Sequence, residues 1–337
     1  MYQIRLEESS IAAIRRIARE QIDGALESLR EGRDRNEAVH DARKRCKKLR
    51  AVLRLVRDGL GEDAYRAQND LFRDASRLLS PARDRWVLVE TVEALQARYG
   101  AFLAESTLTP TRELLRERHR IALERLLDVE RADERAAALL EQARESIGKW
   151  SLRGTPEVDV VVAGVLRVYK QGRKALAKAE KERTTTSFHD WRKRVKYLWY
   201  HSRLLRLRTR GAATLTDRLE RLSRQLGEEH DLAVFGAHLR SDRTLTRSLE
   251  HRELLLGLVA QRRSDLRETA LAMGRRLYAR KPGEVASRLE RQWSKASRDD
   301  SDVAAAGAAE RELPTASQPA QGAATVTRFD PARRRSS

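Results

Sequence analysis

A basic segment led by a histidine occurs twice in this sequence, and its Arg, Lys and His side chains are the types that bind anions. The copies read VHDARKRCKKLRAVLRL from Val39 and FHDWRKRVKYLWYHSRL from Phe188, which places the two His-Asp pairs 149 residues apart. The identical positions are His40, Asp41, Arg43, Lys44, Arg45, Lys47, Leu49 and Arg54 in the first copy, and His189, Asp190, Arg192, Lys193, Arg194, Lys196, Leu198 and Arg203 in the second. A fixed offset between such similar segments indicates an internal duplication centred on positive charge.

Helical spacing gathers the basic side chains of each copy on one face. Each residue of an α-helix advances by about 100°, so the basic positions fall within an arc of about 120°. These two basic stripes are His40, Arg43, Lys44, Lys47, Arg50 and Arg54, and His189, Arg192, Lys193, Lys196 and Arg203. Apolar residues recur on the other side at the spacing typical of a face packed into a helical core.

The basic stripes differ from an ordinary solvated helix face, which mixes acidic and basic residues because opposite charges one turn apart stabilise a helix. Residues 43–57 hold eight Arg or Lys and no Asp or Glu. Such self-repulsion is easier to explain if a polyanion lies against the stripe. We therefore interpret both stripes as anion-binding surfaces.

The composition restricts the class of protein and its partners. The chain has 337 residues, a net charge of +19 and a pI of about 10.6. This charge favours nucleic acid, an anionic lipid surface or a free polyanion as partner. One cysteine, Cys46, excludes an intramolecular disulfide. No apolar stretch approaches the roughly 18 residues of a membrane span, so we expect no membrane insertion and a cytoplasmic protein.

The periodicity predicts an all-α fold, because few alternating strand-like runs appear. We expect two repeated four-helix bundles related by a pseudo-two-fold axis, followed by a disordered C-terminal tail. The predicted helices lie near 8–31, 36–58, 62–104 with a break at Ser80-Pro81, and 110–149 in the first half, and near 156–183, 187–208, 212–240, 244–280 and 284–296 in the second. The predicted divisions are 1–153 for the first repeat, 154–296 for the second and 297–337 for the tail.

A second match joins the third helices of the two halves, at an offset of 147 residues. Ser76, Arg77, Leu79, Asp84 and Val87 correspond to Ser223, Arg224, Leu226, Asp231 and Val234, and Arg83 aligns with His230. We assign Arg77, Arg83, Arg224 and His230 to an outer set of anion-binding residues. We expect Asp84 and Asp231 to be structural.

These residues resemble the CHAD domain family. The resemblance rests on His-x-x-Arg followed by spaced basic residues in each half, with Arg83-Asp84 and Leu226-Gly227-Glu228-Glu229-His230-Asp231 downstream, and covers roughly residues 5 to 295. It implies two four-helix bundles around a basic channel that binds inorganic polyphosphate. The first half departs from the pattern at Ser80-Pro81-Ala82 and has Arg83 in place of a histidine.

The function predicted from these patterns is non-catalytic polyphosphate binding, with histidine adding a pH-sensitive donor. A bound phosphate would favour the imidazolium form, whereas adjacent Arg and Lys would disfavour it in the empty site. Association with polyphosphate or storage granules would be compatible with such binding. No cofactor or metal is expected.

Two other function classes compete with this interpretation. The His-Asp dipeptides are also found in metal-dependent phosphohydrolases, but Arg and Lys around them would repel a divalent cation. A nucleic-acid-binding helical protein is the stronger alternative, since Trp199 and Tyr200 edge the second stripe. No Asn or Gln accompanies the stripes to read base edges.

Overall fold

Helices make up almost all of this chain. The computed structural model describes residues 1–104, 107–152, 156–209 and 211–311, with side chains through residue 296. No β-strand occurs within these ranges. The predicted all-α fold class is therefore confirmed.

Twelve α-helices follow one another in the described part of the chain. Those of the first half are α1 (Ser10–Glu31), α2 (Arg35–Leu55), α3 (Arg57–Leu60), α4 (Glu62–Leu78), α5 (Ser80–Tyr99), α6 (Thr109–Glu124) and α7 (Ala132–Ser146). Those of the second half are α8 (Glu157–Glu182), α9 (Thr185–Leu204), α10 (Ala212–Ser241), α11 (Leu249–Leu277) and α12 (Pro282–Arg311). The break predicted at Ser80-Pro81 is confirmed, since α4 ends and α5 begins there.

The prediction of one helix over 110–149 was wrong. Helix α6 passes into a π-helical turn at Arg125–Val129, and Arg131 then has a φ of 50° in the left-handed region. An L-residue in that region ends a right-handed helix, and this segment has no glycine or proline that would mark the break in the sequence.

The last helix continues beyond its predicted end at residue 296. Helix α12 reaches Arg311 through an alanine-rich stretch, and alanine has the highest helix propensity. The rest of the predicted disordered tail, residues 312–337, lies outside the described residues. Residues 1–297 form one compact unit, and residues 298–337 form a second. The division into two repeats stays a prediction, and its boundary at 153/154 also falls outside the described ranges.

The two basic stripes lie on α2 and α9, and a side-chain cap starts each helix. Asp34 accepts hydrogen bonds from the amides of Asn36 (2.8 Å) and Glu37 (3.0 Å), and Thr184 accepts one from the Ser187 amide (3.1 Å). These caps satisfy amides that have no partner within the helix. The apolar faces of both helices are buried as predicted; these residues are Val39, Ala42, Cys46, Leu49 and Val52 in α2, and Phe188, Trp191, Val195 and Leu198 in α9.

Both hydrophobic cores draw on both halves of the chain. The larger core joins α1, α2, α4 and α7 to α8 and α9, and the smaller one joins α5 and α6 to α10 and α11. Close approach at one crossing requires glycine, because a Cβ at Gly164 of α8 would overlap the Leu55 carbonyl of α2. Helices from the two halves also pack directly on one another. Helix α2 packs on α9, and α5 packs on α10.

Candidate functional site

Four helices, α2, α5, α9 and α10, enclose a cavity of about 660 Å³, which we call the basic cavity. Eight Arg or Lys side chains line it, against two carboxylates. The cations are Arg43, Lys44, Lys47, Lys48, Arg83, Arg192, Lys196 and Arg203, and the carboxylates are Asp84 and Asp231. Three histidines, His40, His230 and His238, and the phenol of Tyr200 also line it. The two halves of the chain therefore share one strongly positive site.

Arg43 anchors the wall that α2 contributes. Its buried guanidinium donates to the Ser76 carbonyl at 2.7 Å and to the Ser80 hydroxyl, and lies 3.6 Å from Asp84. These contacts hold α2 against the break between α4 and α5. Burial lowers the pKa of Arg43, although the nearby Asp84 carboxylate favours its charge. Arg43 thus stabilises the fold as well as lining the cavity.

Lys47 has no counter-ion within ion-pair distance among the described residues, although Asp231 lines the same cavity and attracts its charge. It makes no ion pair or hydrogen bond with any other described residue, and the open cavity leaves it accessible surface. The surrounding protein lowers its pKa to about 8 by desolvating the ammonium, and Arg43 and Arg192 then add repulsion. Keeping Lys47 protonated therefore costs free energy when no anion is bound beside it.

The α9 wall places cations over aromatic rings. The Lys196 ammonium lies 4.1 Å from the centroid of Trp199 and 5.5 Å from that of Tyr200, and the Arg203 guanidinium lies 5.0 Å from Trp199. Burial lowers the pKa of Lys196 to about 8, with repulsion from Arg192 and Arg203. The ring faces offset part of this cost, since they attract cations. Arg192 forms neither an ion pair nor a hydrogen bond with the described residues.

Two histidines from different helices of the second half stack at the edge of the cavity. The Nδ1 atoms of His189 and His230 are 3.2 Å apart, and the ring centroids are 4.3 Å apart. Burial lowers the pKa of His230 to about 4, aided by Arg192, and also lowers the pKa values of His189 and His40. Burial and the neighbouring cations thus disfavour the imidazolium form of these histidines when no anion is bound, so their protonation is displaced to lower pH than that of a free imidazole.

Nine of the fifteen predicted anion-binding residues line the basic cavity. They are His40, Arg43, Lys44, Lys47, Arg83, Arg192, Lys196, Arg203 and His230. Among them, Arg83 is held by Glu90 through two hydrogen bonds of 2.7 and 3.1 Å.

The other six predicted residues lie outside the basic cavity. They are Arg50, Arg54, His189, Lys193, Arg77 and Arg224. Arg50 and Arg54 donate to the side-chain carbonyl of Asn69 on α4, at 3.1 and 3.2 Å. Lys193 pairs with Asp190 at 2.6 Å, and Arg77 is exposed 4.0 Å from Asp74. Arg50 and Arg54 thus contact a neighbouring helix, Lys193 pairs within its own helix, and Arg77 faces solvent.

A second cavity of about 440 Å³ adjoins the first and is less positive. The two share Val87, Arg192, Lys196, Trp199 and Asp231, and the second adds Glu90, Glu220 and Glu228 to its lining. Arg224 lies here, 3.7 Å from Glu220. The excess of positive charge is thus concentrated in the basic cavity.

The two aspartates that we expected to be structural differ. Asp84 lies beside Arg43, as a structural carboxylate would. Asp231 has no ion pair among the described residues, and burial raises its pKa although Arg192 and Arg83 lower it. Because Asp231 faces both cavities, it belongs to the site itself.

Lys48 and His238 also line the basic cavity, and the sequence patterns did not single them out. Lys48 falls between the basic and apolar faces of α2, where it donates to the Gln21 side chain at 3.1 Å. The charge run over residues 43–57 was the signal that could have included it. No comparable signal marks His238.

The His-Asp dipeptides of the two motif helices use their carboxylates in ion pairs with neighbouring cations. Asp41 lies 2.5 Å from Arg45, and Asp190 pairs with Lys193. Within the described residues, no group of three or more His, Cys, Asp or Glu side chains could hold a metal ion. Nor does any helix in the same part of the chain have the length and apolar character needed to cross a membrane.

Comparisons with known proteins agree on the kind of domain. A model of the CHAD domain matches residues 13–240. A crystal structure of the CHAD domain from the plant Ricinus communis is similar in fold, with a TM-score of 0.58 and 19% identity, over 83% of this chain and 94% of that chain. No curated protein matches the sequence.

Proposed function

Because this chain belongs to the CHAD domain family, which is associated with polyphosphate binding, we propose that its basic cavity binds inorganic polyphosphate without hydrolysing it. The observation that carries the proposal is the lining of the cavity, where eight Arg or Lys from both halves of the chain meet two carboxylates. The most useful members for binding are those without a counter-ion, Lys47 and Arg192, together with Lys196 on its aromatic platform.

Polyphosphate fits this site because it has about one negative charge per phosphate and no bases. A phosphate chain between α2 and α9 would neutralise cations that repel one another in the empty cavity. Arginine can bind two phosphate oxygens at once, whereas lysine acts as a mobile point charge. Affinity for polyphosphate would also bring the protein to polyphosphate or storage granules in the cytoplasm.

Single-stranded nucleic acid is less well supported by the same geometry. Its bases would need free aromatic faces to stack on. Lys196 and Arg203 already lie over Trp199 in this structure, so a base would have to displace them. The bare phosphate chain requires no such displacement.

A competition titration tests the proposal. Long polyphosphate, duplex DNA and single-stranded RNA would compete for the full chain at matched phosphate concentration and ~0.15 M salt, where the Debye length is ~8 Å. We expect polyphosphate to bind most tightly and to release no phosphate with Mg²⁺ or Mn²⁺ present. Equal or tighter binding of DNA or RNA would contradict the assignment, and phosphate release would show an enzyme.

Two variants locate the binding in that assay. Lys47→Gln should weaken polyphosphate binding, whereas Lys181→Gln should not, since Lys181 is an exposed lysine of α8 that does not line the basic cavity. Equal effects of the two substitutions would mean that net charge, and not the cavity, determines affinity.

A further inference from the structure

Four lysines line the basic cavity, and one of them, Lys48, donates a hydrogen bond to the Gln21 side chain. Lys44 lies 3.5 Å from Asp41 and has a counter-ion, whereas Lys47 and Lys196 have no ion pair with any described residue. Lys47 of α2 lies among four cations, which repel its charge, and Asp231, which attracts it; the cations are Arg43, Arg83, Arg192 and Lys196. An unpaired amine among guanidinium groups, in a cavity open to solvent, can react with small anions that carry an electrophile.

We infer that Lys47, together with Lys196, is a modification site that acyl phosphates acylate. This inference rests on the proposed function, since the cations that would bind polyphosphate would also bind the phosphate group of an acyl phosphate. Arg192, which forms no ion pair or hydrogen bond with the described residues, lines the same cavity and is available to hold that phosphate near the amine. The acyl carbon would then lie within reach of Lys47 or Lys196.

The reaction needs no further reagent. The neutral amine attacks the acyl carbon, an amide C–N bond forms and the C–O bond to the phosphate breaks. Inorganic phosphate leaves with the bonding electron pair and accepts the proton that the amine loses. The nearby guanidinium groups stabilise the leaving phosphate.

The protonation state of the two lysines supports this chemistry. Only the neutral amine is a nucleophile, and desolvation holds the pKa of both lysines at about 8. The lowered pKa raises the neutral fraction of these amines near pH 7.5 above the roughly 0.1% of a lysine with an unperturbed pKa.

Acylation would also regulate the site. It removes the positive charge of the lysine. One lost charge-assisted hydrogen bond should weaken polyphosphate binding by about tenfold. A protein exposed to acyl phosphates would then release its polyanion without any change of fold.

The test uses acetyl phosphate and the full chain at pH 7.5, with acetylated lysines identified by mass spectrometry over time. We expect Lys47 and Lys196 to react at least about tenfold faster than Lys44, the paired lysine of the same cavity. Excess tripolyphosphate should protect both sites. Equal rates at Lys47 and Lys44, or no protection, would overturn the inference.

Acetic anhydride, which carries no phosphate, separates recognition from reactivity. Arg192→Gln should slow modification of Lys47 by acetyl phosphate more than modification by the anhydride; equal slowing would remove phosphate recognition from the inference and overturn it. Direct titration with long polyphosphate keeps the two proposals apart. If polyphosphate bound tightly but Lys47 reacted no faster than Lys44, the inference would fail and the proposed function would stand.

Discussion

Removing the Lys196 charge should stabilise the empty protein and weaken its binding of polyphosphate. The substitution Lys196→Met keeps an unbranched side chain against Trp199 and Tyr200 while it removes the ammonium. Since burial and repulsion from Arg192 and Arg203 outweigh the attraction of Glu220 for that ammonium, its removal relieves a cost of folding.

The magnitude follows from the lowered pKa. A fall from 10.5 to about 8 corresponds to about 3 kcal/mol, at about 1.36 kcal/mol per unit. Loss of the cation–π contact with Trp199 offsets about 1 kcal/mol of the stability gained by removing the charge. We therefore expect the free energy of unfolding of Lys196→Met to exceed that of the wild type by about 2 kcal/mol at pH 7.

The gain should depend on pH in a defined direction. Below pH 8 the lysine is protonated in both states, and the folded wild type bears the full cost. Between pH 8 and 10.5 the unfolded wild type binds more protons than the folded one, so wild-type stability rises with pH. The advantage of Lys196→Met should therefore be complete at pH 7 and absent near pH 10.5.

Urea denaturation at pH 7 and pH 10.5, followed by circular dichroism, measures this difference. The control is Lys44→Met, which removes an exposed lysine paired with Asp41 and should change stability by less than about 1 kcal/mol. Saturating polyphosphate should reverse the order by stabilising the wild type more. If Lys196→Met were less stable than the wild type at pH 7, or if its advantage persisted at pH 10.5, the reasoning would be refuted.

Three further predictions concern stability and salt dependence. His201 is fully buried, with its Nε2 atom 2.9 Å from the Ala51 carbonyl oxygen, and burial lowers its pKa to about 4. The free energy of unfolding of the wild type should therefore fall by up to about 3 kcal/mol as the pH falls from 6.5 to 4. In urea titrations over this pH range, the free energy of unfolding of His201→Leu should fall less with decreasing pH than that of the wild type. Equal falls in the two proteins would contradict this prediction. Arg43→Gln should destabilise the fold by about 2–4 kcal/mol through the lost bonds to Ser76 and Ser80, so an unchanged Tm would contradict its anchoring role. By analogy with nucleic-acid binding, Arg192→Gln should reduce the slope of log polyphosphate affinity against log salt concentration by about one, without lowering Tm. An unreduced slope would mean that Arg192 does not contact the polyanion.

The sequence by itself determined the fold class, the family and the two helices that carry the site. Periodicity was sufficient for this because the buried faces of α2 and α9 are set by residue spacing along each helix. The duplication placed Lys47 and Lys196 at equivalent positions, and both line one cavity. The pattern thus predicted two of the stretches of chain that line the basic cavity.

Only the tertiary structure decided which Arg and Lys side chains remain available to bind an anion. The angular position of a residue on its helix gives the direction in which its side chain leaves the helix axis. It does not give the neighbouring residue that the side chain contacts. Asn69 on α4 engages Arg50 and Arg54, whereas Lys47 and Asp231 interact electrostatically inside the basic cavity without forming an ion pair with any described residue. Packing between distant segments sets these outcomes, because the ion pairs and pKa values depend on contacts that no local pattern encodes.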